Sequence, residues 1–114
     1  MTARVRVTET LDIDLDAGRW ACNRCGHDVG SAEHSYKGGL LVAERDPEEV
    51  HPRRAPADAP YSFAPDPEWC RVLEFYCPGC AVLVEVEYLP PGHPITRDLV
   101  FDLESLRAAA AARR

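Results

Sequence analysis

With 114 residues, 19 acidic and 13 basic side chains and a formal charge of −6, the chain has room for one domain with a modest core. The acidic balance weighs against a phosphate backbone as partner. No apolar run reaches the roughly 18 residues that would span a bilayer, so no membrane segment is expected. Met1-Thr2-Ala3-Arg4-Val5-Arg6 lacks the apolar stretch of a secretory signal, which points to the cytoplasm and to reduced thiols rather than a disulfide framework.

The chain opens with Val5, Val7, Leu11, Ile13 and Leu15 alternating with polar residues, a period of two that predicts a strand or hairpin with one buried face. Asp16-Ala17-Gly18 breaks it, and Trp20 leads into Cys22-Asn23-Arg24-Cys25-Gly26, where the indole is expected to pack beside the turn and shield its sulfurs. Residues 28–37 are polar and irregular. A short strand follows at Leu40-Leu41-Val42-Ala43, and Arg45-Asp46-Pro47-Glu48-Glu49 closes it with a turn or helix start.

The next stretch carries prolines at 52, 56, 60, 65 and 67, which remove backbone donors and fix φ, so residues 52–67 form a loop or an extended arm. Tyr61 and Phe63 within it, with Trp69 just beyond, are candidate anchors for a partner's pockets, the alternative being that Tyr61 and Phe63 fold back onto this domain. Two strand-like runs follow, residues 71–76 and 81–89, joined by Cys77-Pro78-Gly79-Cys80; Glu85 and Glu87 read as a solvated strand face. After Pro90-Pro91-Gly92-His93-Pro94, an alanine-rich helix begins beyond Asp102, a plausible cap; it buries little of its own and is expected to fray or to dock on a partner.

Two C-x2-C pairs supply the chemistry. Each places two sulfurs on one tight turn, and Cys22, Cys25, Cys77 and Cys80 together complete the tetrahedron that Zn²⁺ prefers, leaving no position open for water or substrate. Such a zinc is structural. A redox C-x-x-C would sit between a strand and a helix, whereas Cys77 and Cys80 lie between two strands. Cys70 reads as a small buried hydrophobe, and His27 as a neighbour of the site rather than a ligand. Gly38-Gly39 lacks the flanking pattern of a phosphate loop, and His34, His51 and His93 are scattered loop residues.

The fold expected is a small β-rich (α+β), zinc-ribbon-like domain over residues 1–114. Its parts are an N-terminal strand segment (1–21), the first knuckle and strand (22–51), the proline-rich arm (52–67), a hairpin with the second knuckle (68–102) and a helical tail (103–114). The series Cys22-x-x-Cys25-Gly26-His27, Lys37, Arg45-Asp46-Pro47-Glu48, Pro65-Asp66-Pro67-Glu68-Trp69, Glu74-Phe75-Tyr76-Cys77-Pro78-Gly79-Cys80, Glu85-Val86-Glu87 and Pro90-Pro91-Gly92-His93-Pro94 resembles the acetone carboxylase gamma subunit family. The resemblance covers about residues 20 to 102. It implies a non-catalytic zinc-binding subunit of a biotin-independent, ATP-dependent ketone carboxylase or hydantoinase-type complex, with large hydantoinase-like subunits as partners. The alternative is a stand-alone zinc-ribbon adaptor that binds another protein, or less favourably nucleic acid.

Overall fold

A computed structural model describes residues 4–52, 56, 58–61 and 64–113. The N-terminal alternation folds as an antiparallel sheet in the order β1-β2-β3-β4: β1 Arg4–Arg6, β2 Leu11–Asp14, β3 Arg19–Cys22 and β4 Asp28–Ser31. Val5, Ile13 and Trp20 stand opposite one another in register, so the period-two pattern becomes one buried face. The Asp14 carboxylate accepts from the amides of Asp16 and Ala17 and fixes the turn that Gly18, at φ 65°, completes.

Residues 28–37, expected to be irregular, begin instead with a strand, β4. A single buried apolar side chain, Val29, holds β4 to the core, and the register shifts beside Gly30, whose φ of 131° suits glycine alone. No alternation is visible over so short an element. A 3-10 turn at Tyr36–Gly39 then crosses close above β4, where a Cβ on Gly39 would lie 1.7 Å from the Val29 carbonyl oxygen.

The second sheet is antiparallel in the order β5-β6-β7, with β5 Leu41–Arg45, β6 Arg71–Tyr76 and β7 Leu83–Leu89. Between β5 and β6, Asp46 caps a single turn of helix, α1 Pro47–Val50, accepting from the Glu48 amide. Leu73 and Phe75 of β6 point into one hydrophobic cluster with Leu11, Ile13, Trp20 and Tyr36, so a single core joins the two sheets.

The helical tail also departs from expectation. α2, Leu103–Ala112, is capped by Asp102, which accepts from the Glu104 and Ser105 amides; the Ser105 hydroxyl, first, and these amides hold its carboxyl below the usual range. Leu103, Leu106 and Ala110 share one face at helical spacing, and they pack against the core. The Arg107 Nε donates to the Leu15 carbonyl at 2.7 Å, closing the contact. Three small anchors plus one charged hydrogen bond suffice to dock a helix whose composition alone looked too poor for it.

Glu85 and Glu87 are the largest correction. Register sets Glu87 opposite Leu73 and Glu85 opposite Phe75, the core-facing residues of β6, so both carboxylates turn inward. Glu87 meets the buried Lys37 ammonium at 2.8 Å, and Lys37 Nζ also donates to the Thr96 carbonyl at 3.0 Å. Thr96 returns its amide and hydroxyl to the other Glu87 oxygen. The Tyr36 hydroxyl donates to Asp98 at 3.0 Å and lies 3.4 Å from Glu85; burial first, then these carboxylates, push its pKa up. The network ties residues 96–98 to the sheet, with the ammonium 5.9 Å from the Tyr36 ring centroid and 5.3 Å from that of Phe75.

Burial pushes the Glu87 carboxyl up, but Lys37 and Thr96 more than offset this and hold it below its ordinary value. A pKa lower in the folded than in the unfolded chain gives stabilisation that is present above about pH 4.5 and lost as pH falls through the folded-state value. Glu87→Gln removes the nearer of the two carboxylates beside the buried ammonium, leaving Asp98 at 3.7 Å, and should cost about 3 kcal/mol at neutral pH. Urea unfolding of both proteins at pH 7 and at about pH 3 checks this, since the difference should shrink in acid. An equal penalty at both pH values would show that the ion pair is not the source.

Candidate metal centre

The two C-x2-C turns are built alike. In the first, between β3 and β4, the Gly26 amide donates to the Cys22 carbonyl at 2.8 Å, the Arg24 amide points at Cys22 Sγ at 3.4 Å, and the Cys22 amide donates to the His27 carbonyl at 2.9 Å. In the second, between β6 and β7, the Ala81 amide donates to the Cys77 carbonyl at 2.8 Å. The Gly79 amide points at Cys77 Sγ at 3.3 Å, and the Cys77 amide donates to the Val82 carbonyl at 3.0 Å. Backbone geometry matches as well. Gly26 has φ 82° and Ala81 has φ 63°, so the second turn holds an L side chain in the left-handed region where the first uses glycine.

Folding brings the two turns face to face. The sulfurs of Cys22, Cys25, Cys77 and Cys80 all lie within 4.8 Å of one another. Cys22 and Cys80 are 3.8 Å apart and Cys25 and Cys77 3.7 Å, far beyond a disulfide bond. Four thiolates at about 2.3 Å from a tetrahedral Zn²⁺ stand about 3.8 Å apart, so the donor set and its spacing fit that ion. Cys22 and Cys77 are buried while Cys25 and Cys80 are exposed, which places the cluster at the rim of the core. Gly79 permits the approach: a Cβ there would lie 3.0 Å from Cys25 Sγ and 3.1 Å from His27 Cβ.

The electrostatics show why such a cluster calls for a cation. Burial pushes the Cys22 thiol up, but hydrogen bonds from the amides of Arg24 and Cys25 outweigh it and bring the pKa down. At Cys25 a hydrogen bond to the His27 backbone acts downward, yet burial and the neighbouring sulfurs carry the thiol up to about 12. Cys80 is likewise raised: the Val82 backbone and the Cys25 sulfur lower it, and desolvation with the sulfurs of Cys22 and Cys77 outweighs them. Neighbouring thiolates repel one another, and a bound cation would offset that repulsion.

The remaining candidates fall elsewhere. Cys70 is half-buried just before β6 and outside the four-sulfur cluster, with its Sγ 3.8 Å from the Arg71 carbonyl. His27 packs its ring against Gly79. His51 pairs with the Tyr88 hydroxyl at 2.6 Å, His34 receives the Trp20 indole N–H on its carbonyl, and His93 lies against the Pro94 carbonyl. Trp20 is buried two residues before Cys22, edge-on to Tyr36. Tyr61 and Trp69 are 64% and 77% exposed, and Phe63 lies outside the described residues. The Lys37 network was missed because the pairing that turns Glu87 inward is set by strands far apart in sequence.

Fold and cluster together define a small β-rich protein with two sheets, one longer C-terminal helix and a four-cysteine site compatible with a zinc ribbon. A family model described as the acetone carboxylase gamma subunit matches residues 5–111. The acetophenone carboxylase beta subunit of Aromatoleum aromaticum is 55% identical over 108 residues, which cover 95% of this chain and 82% of that protein. The acetone carboxylase gamma subunit of Xanthobacter autotrophicus is 33% identical over 84 residues, covering 70% of this chain and 45% of that longer protein. The chain belongs to the acetone carboxylase gamma subunit family.

Two variants test the ligand set. Cys77→Ser should lose bound zinc and unfold or loosen the two turns, while Cys70→Ser should keep one zinc per chain; metal analysis with thermal unfolding reads both. Loss of zinc in Cys70→Ser with retention in Cys77→Ser would overturn the assignment. Separately, Ala81→Gly relieves a left-handed alanine and should raise stability by about 1 kcal/mol in denaturant titration, whereas a destabilised variant would remove the equivalence drawn between the two turns.

Proposed function

We propose that this chain is a non-catalytic, zinc-holding accessory subunit of an ATP-dependent ketone carboxylase or hydantoinase-type complex, folded as one zinc-ribbon domain over residues 1–114 and working in the cytoplasm. The observation that carries the reading is the four-sulfur tetrahedron in a member of this family. Occupied by Zn²⁺, it has no open position, so the ion would cross-link the two turns and could not activate water or polarise a carbonyl. The ionisable groups of the core are engaged in pairs, as in the Lys37, Glu87 and Asp98 set. Both relatives are named as subunits of carboxylases, which supports large subunits as the partners. Exposed Tyr61 and Trp69 supply aromatic surface of the kind that fills partner pockets. Among the described residues no helix is long and apolar enough to cross a membrane.

Alone, the purified chain should turn over neither ATP nor ketone. Added to the large subunits of its complex, it should restore assembly and ATP-dependent product formation. Sedimentation together with ATP hydrolysis and product assays, with and without the chain, makes the measurement; unchanged assembly and unchanged rate would end the accessory-subunit reading.

A further inference from the structure

Four strand edges could present unpaired backbone to solvent, and three of them are guarded. β1 is three residues long and flanked by exposed Arg4 and Arg6. β4 is overlain by the 3-10 turn, with Gly39 against the Val29 carbonyl. β7 points the charged side chains of Glu85 and Glu87 inward, opposite Phe75 and Leu73, a device that blunts an edge strand. β5 differs. Among the described residues it pairs with β6 alone, over five residues from Leu41 to Arg45 that include neither proline nor lysine.

Its side chains repeat the message. Leu41 is 57% exposed and Val42 48% exposed, and as neighbours on a strand they stand on opposite faces of the sheet. The two charges that could guard this edge are drawn into the chain's own sheet: Glu44 binds Arg71 at 2.6 Å, and Arg45 binds Glu74 at 3.1 Å. What is left, among the described residues, is a row of main-chain donors and acceptors flanked by apolar groups on both faces, the chemistry that an added strand completes.

We propose that the open edge of β5 receives an extended segment of a large subunit, which joins the β5-β6-β7 sheet as a fourth strand and carries apolar residues opposite Leu41 and Val42. Backbone hydrogen bonds supply the attachment, and the apolar neighbours on the two faces set the register. A second copy of this chain fits less well. Full antiparallel self-pairing about Ala43 would set Arg45 against Leu41 and Glu44 against Val42, and each copy has a formal charge of −6. The inference rests on the accessory-subunit reading and names the surface through which it would act.

The test uses the full chain, free and in the complex purified with its large subunits, and reads amide hydrogen exchange at residues 41–45. Edge amides of β5 should slow at least tenfold on assembly, and Leu41→Lys with Val42→Lys should weaken complex formation at least tenfold while keeping zinc content and unfolding midpoint. Leu41→Val with Val42→Thr should retain binding. If the complex forms with β5 exchange unchanged, the edge proposal falls and the accessory role stands. If no complex forms, both fall. A dimer of the free chain with β5 already protected would assign the edge to a second copy and overturn the proposal.

Discussion

Everything in this structure depends on bringing two cysteine turns, separated by 52 and 58 positions in the pairs that touch, to within 4 Å of each other. A cross-link closing a loop of that length removes on the order of 4 kcal/mol of chain entropy from the unfolded state, by the relation used for disulfides. For a chain this small, that is a large share of the total stability a domain can have. One turn joins β3 to β4 within the first sheet and the other joins β6 to β7 within the second, so an ion held between them would fasten sheet to sheet. Burial of Cys22 and Cys77 beside Trp20 and Phe75 makes the site continuous with the core, and packing and metal affinity then reinforce each other.

The amides aimed at Cys22 and Cys77 show how the backbone shares in that task. Each turn places one N–H about 3.3 to 3.4 Å from the sulfur of its first cysteine, a fixed dipole aimed at the atom that would bind an ion. The price is a left-handed residue at the end of each turn. Gly26 takes it without strain, and Ala81 does not, so the second turn keeps a steric cost that only the surrounding hydrogen bonds and the shared cluster hold in place.

How much of this was legible in the residues follows the range of the interactions. The cysteine turns, the β6 and β7 hairpin, the N-terminal alternation and the Asp102 cap are all set by neighbours within a few positions, and each was readable. β4 was not, because one buried valine carries no period. The inward turn of Glu87 was not, because alternation shows that two faces exist and does not say which one meets the core; Val86 and Tyr88 look like the buried set until pairing with Leu73 and Phe75 decides otherwise. The docking of α2 depends on Leu15 accepting from Arg107, 92 positions away, which no local signal carries.

That same inversion bears on what the second sheet can do. By turning two glutamates inward against Lys37 and Tyr36, β7 takes charged groups that would have made its outer surface polar and uses them to fasten the segment around Thr96 and Asp98. The face left outward carries Leu41, Leu83 and Tyr88, each between 42% and 57% exposed. A buried ion pair contributes little net stability over apolar packing of the same volume, so its retention is better understood through what it positions than through its strength. Here it fastens residues 96–98 over the core-facing side of β7 and puts inward-pointing charge on that edge strand, which leaves the opposite edge, at β5, as the side on which another chain can be added.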